Sequence, residues 1–310
     1  MKYFKYIKKS LAILLFFWIV SFTNSCDSKT FGQRADSLFL VNDNSKVFYD
    51  LKSPSEKYFL PYVLEEVSGL SFKGSNSVLA VDDESGRVFE YDLSERKISH
   101  SMTFHSADDF EGVELADSNV YVLKSDGDIF EFRYSKEKKP KTTKYENDFS
   151  KKNDTEGLGY DPVNNRLLIA CKENGEVEGN KGKDRAIYGF DLTEMRLTDQ
   201  PLFEISASSL EKFWEENRDF DYVKERIKFK PSAIAFNPID QFYYVLSSVG
   251  KLLIVINQSG QIKATYPISS RVLGQPEGLC FSPSGDMYIS SEGEGDRGYI
   301  LKFLPKRKSK

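Results

Sequence analysis

Internal repetition constrains this chain more than any other feature. Five segments share one pattern: an acidic or small residue, Gly or Ala, an apolar stretch ending on an aromatic residue or leucine, a turn, a second apolar strand, a Gly/Asp-rich turn and an aromatic-rich strand. They are SGLSFKGSNSVLAVDDESGRVFEYDL from Ser68, EGVELADSNVYVLKSDGDIFEFRY from Glu111, EGLGYDPVNNRLLIACKE from Glu156 (resuming as RAIYGFDL from Arg185), SAIAFNPIDQFYYVLSSVGKLLIVIN from Ser232 and EGLCFSPSGDMYISSEGEGDRGYILKF from Glu277. Their starts lie 43, 45, 76 and 45 residues apart. Strand-rich units of this period are blades, since solenoids of similar period are helical. The reading is an all-β chain forming a β-propeller over residues 47–304, with five blades. A sixth, degenerate blade on Val47 to Leu51, which echoes VFEYDL, is the alternative.

Closure is legible too. The last repeat runs out after three strands at about Leu304, and a lone strand, Lys57 to Leu60, precedes the first. Pairing the two would remove two open edges and close the ring. The long interval holds about 31 residues beyond one blade. It is read as a Gly- and charge-rich loop from Lys172 to Lys183 and a helix over 208–228. Ser208 and Glu211 are its expected capping box, and Leu210, Phe213, Trp214, Phe220, Val223 and Ile227 its apolar stripe.

The first 25 residues read as an export signal. Lys2, Lys5, Lys8 and Lys9 precede an apolar run from Leu11 to Phe22 that is short for a membrane span. Ser25-Cys26 follows and resembles the lipobox of bacterial lipoproteins, which makes Cys26 the lipidated residue. An uncleaved anchor is the alternative. Residues 26–46 are then a polar tether and 305–310 a basic tail. The expected location is the bacterial cell envelope, on the periplasmic or outer-membrane side, held to the membrane by the N-terminal lipid. Removing residues 1–25, which carry four lysines and no acid, takes the formal net charge from −4 to −8. That balance argues against nucleic acid as a partner. His100 and His105 are the only histidines, which argues against His-built zinc sites and Ser-His or Cys-His triads. Cys171 and Cys280 lie in apolar runs and read as buried thiols, with a disulfide between them as the alternative.

Blade topology places the chemistry. The starts of the innermost strands, the loops between second and third strands and the loops between blades share one face. Glu111, Glu156 and Glu277 therefore converge at one mouth of the central channel. Asp82, Asp83, Lys124, Lys172 and Glu292 surround them as candidate ligand-binding residues, and the 208–228 helix is expected to cap the same mouth. Converging carboxylates need a bound cation, raised pKa values, or pairing with Lys124 and Lys172. Ca²⁺ or Mg²⁺ suits oxygen ligands, so the three glutamates are candidate metal ligands. The competing reading is that each caps a strand. The turns DDESG, KSDGD, NQSG and SPSGD are hairpin chemistry rather than calcium loops.

The lipoprotein-type signal together with YDLKSPSEKYFLPYVLEEVSGLSF, DDFEGVEL, DTEGLGYDP, KPSAIAFNP and QPEGLCFSPSGDMYISSEG resembles the SdiA-regulated family of exported β-propeller proteins, over about residues 48–304. The resemblance implies a fold related to NHL, lactonase-type and phytase-like propellers, and no settled reaction. Lactonase-type relatives hold a divalent metal through a Glu at the start of an inner strand plus Asn and Asp from other blades. Glu111, Glu156 and Glu277 match the Glu position, and the Asn/Asp pair has no equivalent, which argues against lactonase activity. The first functional expectation is a monomeric module that binds a small ligand or an envelope protein. The second is a metal-dependent hydrolase of phosphoesters or lactones using the same acidic centre.

Overall fold

The computed structural model describes residues 47–74, 76–177, 184–217 and 228–307. The export signal, Cys26, the tether, most of the predicted helix beyond Asn217, the second half of the 172–183 loop and the end of the basic tail lie outside them. The chain enters through β1 (Val47–Phe48), β2 (Glu56–Phe59) and a 3-10 turn over Tyr62–Leu64, and then builds five sheets. Blade I is β3 (Val67–Gly74), β4 (Ser77–Asp82), β5 (Arg87–Asp92) and β6 (Lys97–Thr103). Blade II is β7 (Phe110–Ala116), β8 (Asn119–Lys124), β9 (Ile129–Arg133) and β10 (Thr143–Tyr145). Blade III is β11 (Thr155–Asp161), β12 (Arg166–Cys171) and β13 (Arg185–Asp191), with an outer strand in two pieces, β14 (Arg196–Leu197) and β15 (Phe203–Ile205). Blade IV is β16 (Ala233–Phe236), β17 (Tyr243–Ser247), β18 (Leu252–Ile256) and β19 (Ile262–Pro267).

Blade V closes the ring. It contains β20 (Pro276–Phe281), β21 (Met287–Ser291) and β22 (Tyr299–Phe303), and its outer strand is β2 from the other end of the chain. The register pairs Lys57 with Leu301 and Tyr58 with Ile300. Inner strand follows inner strand around the axis, and β20 returns to β3. The Val47–Leu51 segment is not a sixth blade. Val47 and Phe48 pair with β23 (Lys306–Arg307), and Tyr49 is buried against Tyr244 and Phe281. Its hydroxyl donates to the Gly285 carbonyl at 2.6 Å and accepts from Asn237 at 2.9 Å.

The core is distributed between blades rather than gathered at the axis. Between blades I and II, Leu79, Val81, Met102, Phe110, Val122 and Phe132 form one buried cluster, with Phe104 stacked on Phe132. Each such side chain contributes about 1.5–3 kcal/mol on burial, which is why aromatic-rich middle strands suit this fold. Helix α1 (Ala207–Asn217) lies in the connection between blades III and IV. Its cap is Ser206 rather than Ser208: the Ser209 N–H donates to the Ser206 hydroxyl, and the Ser206 N–H to the Ser209 hydroxyl. Two serines thus form the reciprocal box two residues earlier than expected, because the helix already begins at Ala207. Leu210 and Trp214 bury its apolar face in the blade III–IV cluster, and the Trp214 indole N–H donates to Thr265.

The axis is tight. A Cβ on Gly69 would stand 2.6 Å from the Val113 nitrogen, and one on Gly112 would stand 2.5 Å from the Leu158 Cβ. Glycine at the second position of the repeat is what lets the inner strands approach this closely.

Candidate functional site

The glutamates of the repeat do not occupy ordinary ladder positions. In β7 the register jumps between Phe110 and Gly112, in β11 between Thr155 and Gly157, and in β20 between Pro276 and Leu279. Glu111, Glu156 and Glu277 are therefore bulge residues, and a bulge re-aims a side chain that regular pleating would send elsewhere. All three line one small axial cavity, with Ser232 of the fourth repeat and with Leu70, Leu158 and Leu279. Its volume of about 10 Å³ is close to the room one water needs.

Burial and mutual repulsion raise the proton affinity of all three. Burial, then Glu156 and Asp109, push Glu111 up to about 9. Burial and then Glu277 push Glu156 up to about 8, against the pull of Lys172. Burial, then Glu292 and Glu111, push Glu277 up to about 8. Lys172 makes an ion pair with Glu156 Oε1. Burial works to strip the Lys172 proton, but the Glu156 carboxylate outweighs it and holds the ammonium well above its ordinary value. A buried ammonium needs one ionised partner, so near neutral pH the cluster keeps one charge against Lys172 and shares protons among the remaining carboxyls. The other Glu156 oxygen, Oε2, is buried and has no hydrogen-bond partner.

The surrounding candidates separate into two groups. Asp82, Asp83 and Glu292 form a second acidic cluster with Glu66, where blades V and I meet. Burial, then Glu66 and Asp82, push Asp83 up to about 6. Burial, and Glu66 after a counteracting backbone bond, push Asp82 up to about 6. Burial and then Asp83 push Glu292 up to about 7, and its carboxylate accepts from the Gln275 amide. Lys124 is held instead by Asp126 at 2.8 Å and Asp108 at 3.2 Å. Of the two lysines expected to pair with the axial glutamates, Lys172 does so and Lys124 does not, and Lys251, which sequence reasoning missed, acts on Glu277. The described part of the 208–228 segment is anchored at the blade III–IV boundary, and whether the rest caps the mouth lies outside the described residues. His100 sits in the outermost strand β6 with its ring nitrogen on the Ser135 carbonyl, and His105 is exposed. Cys171 and Cys280 are buried free thiols.

Sequence reasoning missed Glu66, Asp109 and Asp154, and the signal was present. Each stands two residues before the repeat start, at the position of Lys230 and Gln275 in the other blades. A second polar ring thus lies just outside the first. Asp109 bonds to the Ser125 hydroxyl, and Glu173 pairs with Lys230 and Arg185. Among the described residues, no group of three or more His, Cys, Asp or Glu side chains is disposed to hold a metal ion.

The family model of the SdiA-regulated proteins matches residues 55–295, which takes in blades I to IV and the two inner strands of blade V. This chain belongs to the SdiA-regulated family. No curated protein matches it. Among solved structures, the glutaminyl cyclase of Myxococcus xanthus is similar over 83% of this chain and 97% of its own, at 13% identity and a TM-score of 0.54. A luciferin-regenerating enzyme is similar over 83% and 98% at 11% identity and 0.47, and the PQQ-bound aldose sugar dehydrogenase of Streptomyces coelicolor over 82% and 100% at 12% and 0.47. The likeness to the cyclase, at this identity, speaks for the architecture and not for the site.

Proposed function

We propose that this SdiA-regulated chain is a ligand-binding module of the cell envelope, tethered through Cys26, whose acidic axial mouth receives a cationic group. The observation that carries this reading is the buried Glu156 Oε2, without a hydrogen-bond partner, beside Glu111 and Glu277, in a cluster whose three carboxyls outnumber the two ammonium groups, Lys172 and Lys251, that act on it. An incoming cation relieves the repulsion that holds these groups protonated, so binding releases protons and tightens as pH rises. The guanidinium of a partner protein supplies that charge without a preformed ligand set, whereas Ca²⁺ or Mg²⁺ would supply it only by displacing Lys172 from Glu156.

The hydrolase alternative asks more of the same residues. Metal-activated water needs a cation held by several protein ligands with one position left open. Here Lys172 already occupies Glu156 Oε1, and the carboxylates are not disposed as a ligand set. A metal would first have to displace the ammonium, so the geometry favours recognition over hydrolysis.

The test is thermal unfolding with Ca²⁺, Mg²⁺ or arginine amide added. One of the three should raise the melting temperature of the wild type, by the equivalent of about 2.7 kcal/mol at a hundredfold excess over its dissociation constant. Glu156→Gln should lose that response. Failure of all three additives to shift the wild type would overturn the reading.

A further inference from the structure

The opposite end of the axis holds a second, larger cavity of about 310 Å³. It lies where the inner strands finish, whereas the glutamates lie where those strands start. Phe72 and Tyr160 stand near the ends of β3 and β11, Phe236 ends β16 and Phe281 ends β20, and all four line this space. Pro162, Pro238 and Pro283, each in the turn that follows its strand, form a rim with little freedom to collapse. The walls are braced from behind. Phe72 stacks on Tyr288 at 5.7 Å, Phe281 meets Tyr244 at 5.0 Å, and Phe236 meets Tyr243 at 6.1 Å. Leu70, Leu158 and Leu279 line the axis on the glutamate side, so each mouth has its own cavity.

The reason for the cavity is visible in the repeats. At the fourth position the five units carry Ser71, Glu114, Gly159, Ala235 and Cys280. Four are small and leave space, and the fifth is a carboxylic acid. Glu114 is the one formally charged residue among the described lining residues. Glu114 is half-buried and lines the cavity. The Ser71 hydroxyl donates to its Oε1 at 2.5 Å and the Leu115 N–H at 3.1 Å. The Tyr160 N–H also bonds to it, and no lysine or arginine is among the groups that act on its proton.

We propose that this second cavity is a binding site for a small organic ammonium ion carrying an aromatic or alicyclic body, with Glu114 as its counter-ion and Phe72, Tyr160, Phe236 and Phe281 as its walls. Several features select that class. A compact apolar body suits aromatic and proline walls, and a volume of about 310 Å³ lies at the lower end of small-molecule sites (~300–1,000 Å³). Aromatic faces attract cations. A neutral or anionic ligand would leave Glu114 buried without an opposite charge, which is costly. A hard divalent metal wants six or more oxygen ligands and would find one carboxylate. The site is separate from the acidic mouth in position, lining and wall chemistry.

Burial pushes Glu114 up to about 7, only partly countered by Ser71, Leu115 and Tyr160. The phenol of Tyr160 and the thiol of Cys280, which face it from β11 and β20, are both shifted upward and stay protonated across the neutral range. Ammonium binding therefore follows Glu114 and weakens as pH falls through about 7.

Calorimetric titration of the whole mature protein with 2-phenylethylamine, and with 2-phenylethanol as its neutral counterpart, tests this. The amine should bind at least about tenfold more tightly than the alcohol at about pH 8, as a charge-assisted hydrogen bond implies. Glu114→Gln should bring the two together, and Glu156→Gln at the other mouth should leave the amine titration as in wild type. Ala235→Leu, which narrows the cavity and retains Glu114, should weaken binding of both. The proposal is overturned if the amine does not bind wild type at up to about 10 mM, if amine and alcohol bind equally, or if folded Glu114→Gln retains the tenfold preference. The comparison of amine with alcohol on wild type decides the question even if a variant fails to fold.

Discussion

The proton inventory of the axial cluster can be counted through stability. Consider Glu156→Gln. In the folded chain Glu156 belongs to a group of carboxyls that hold protons up to about 8, whereas its ordinary value, and that of the unfolded chain, is 4.5. Between those two pH values the folded chain carries protons that the unfolded chain has lost. This contribution to stability is fully present below about 4.5 and is lost as pH rises towards about 8. Each extra proton gives a slope of about −1.4 kcal/mol per pH unit. Glutamine preserves the shape of the neutral acid but cannot titrate. If the wild type keeps one carboxylate ionised against Lys172, the variant passes that role to Glu277 or Asp154, both within the field of the same ammonium. Whichever takes it, the cluster holds one proton fewer. Glu156→Gln should therefore flatten the fall of stability with pH by about 1.4 kcal/mol per unit, while the lost contact with Lys172 lowers the whole curve. Urea unfolding at intervals between about pH 5 and pH 8 measures this directly. Lys172→Met should do the converse and steepen the curve by up to a similar amount, since Glu156 then loses its ammonium partner and only Lys251 acts on the cluster, through Glu277. Parallel wild-type and Glu156→Gln curves would refute the shared-proton argument, and a wild-type stability that rises across this range would refute the burial of the cluster.

Further expectations concern closure, packing and anchoring. Gly112→Ala should cost about 1–3 kcal/mol in urea unfolding, because its Cβ would stand 2.5 Å from that of Leu158 in the neighbouring inner strand. Removing residues through Leu60 deletes β2 and should cause aggregation or a large fall in melting temperature, whereas removing residues 27–46 should leave the melt nearly unchanged; equal effects would contradict closure by β2. Cys26→Ser should release the protein from the membrane fraction or leave it with an unprocessed signal, and unchanged fractionation with unchanged mature mass would refute lipidation there.

The ring was legible because its evidence is repeated. Five inner strands carry the same spacing of Gly, apolar and aromatic positions, and the unmatched strand at Lys57 has one vacant edge to fill. The convergence of Glu111, Glu156 and Glu277 followed from the same repeat, since equivalent positions in a propeller meet at the axis. What escaped depends on local alternatives that a pattern does not rank. Ser206 and Ser208 are equally good caps by composition, and the helix start at Ala207 decides between them. Tyr49 sits in a segment that echoes an outer strand, and only its hydrogen bonds to Gly285 and Asn237 make it a clasp between blades IV and V. Lys124 and Lys172 look alike in the sequence but stand one place apart in their repeats, since Lys124 lies opposite Phe110 where Cys171 lies opposite Thr155; Lys124 therefore meets Asp108 and Asp126, while Lys172, one place further on, reaches Glu156. Glu114 was passed over because it interrupts the repeat instead of belonging to it.

The Glu-Gly step links architecture to chemistry. Its glycine permits the close approach that closes a five-bladed ring, and the accompanying bulge turns the glutamate out of the ladder towards the axis. The same tightness leaves too little room at the glutamates for anything larger than about one water, so a ligand at that mouth must be read from above, by its charge. Two repeats further illustrate the rule. Where Ser68 and Ser232 replace the glutamate, the charge is absent but a small residue still follows, Gly69 or Ala233, so closure survives without the acid. Closure therefore demands the small residue in every blade and the acid in none. That asymmetry supports the proposal that the three glutamates serve binding, because it separates a cost the fold accepts, buried repulsion, from anything the ring needs to stand.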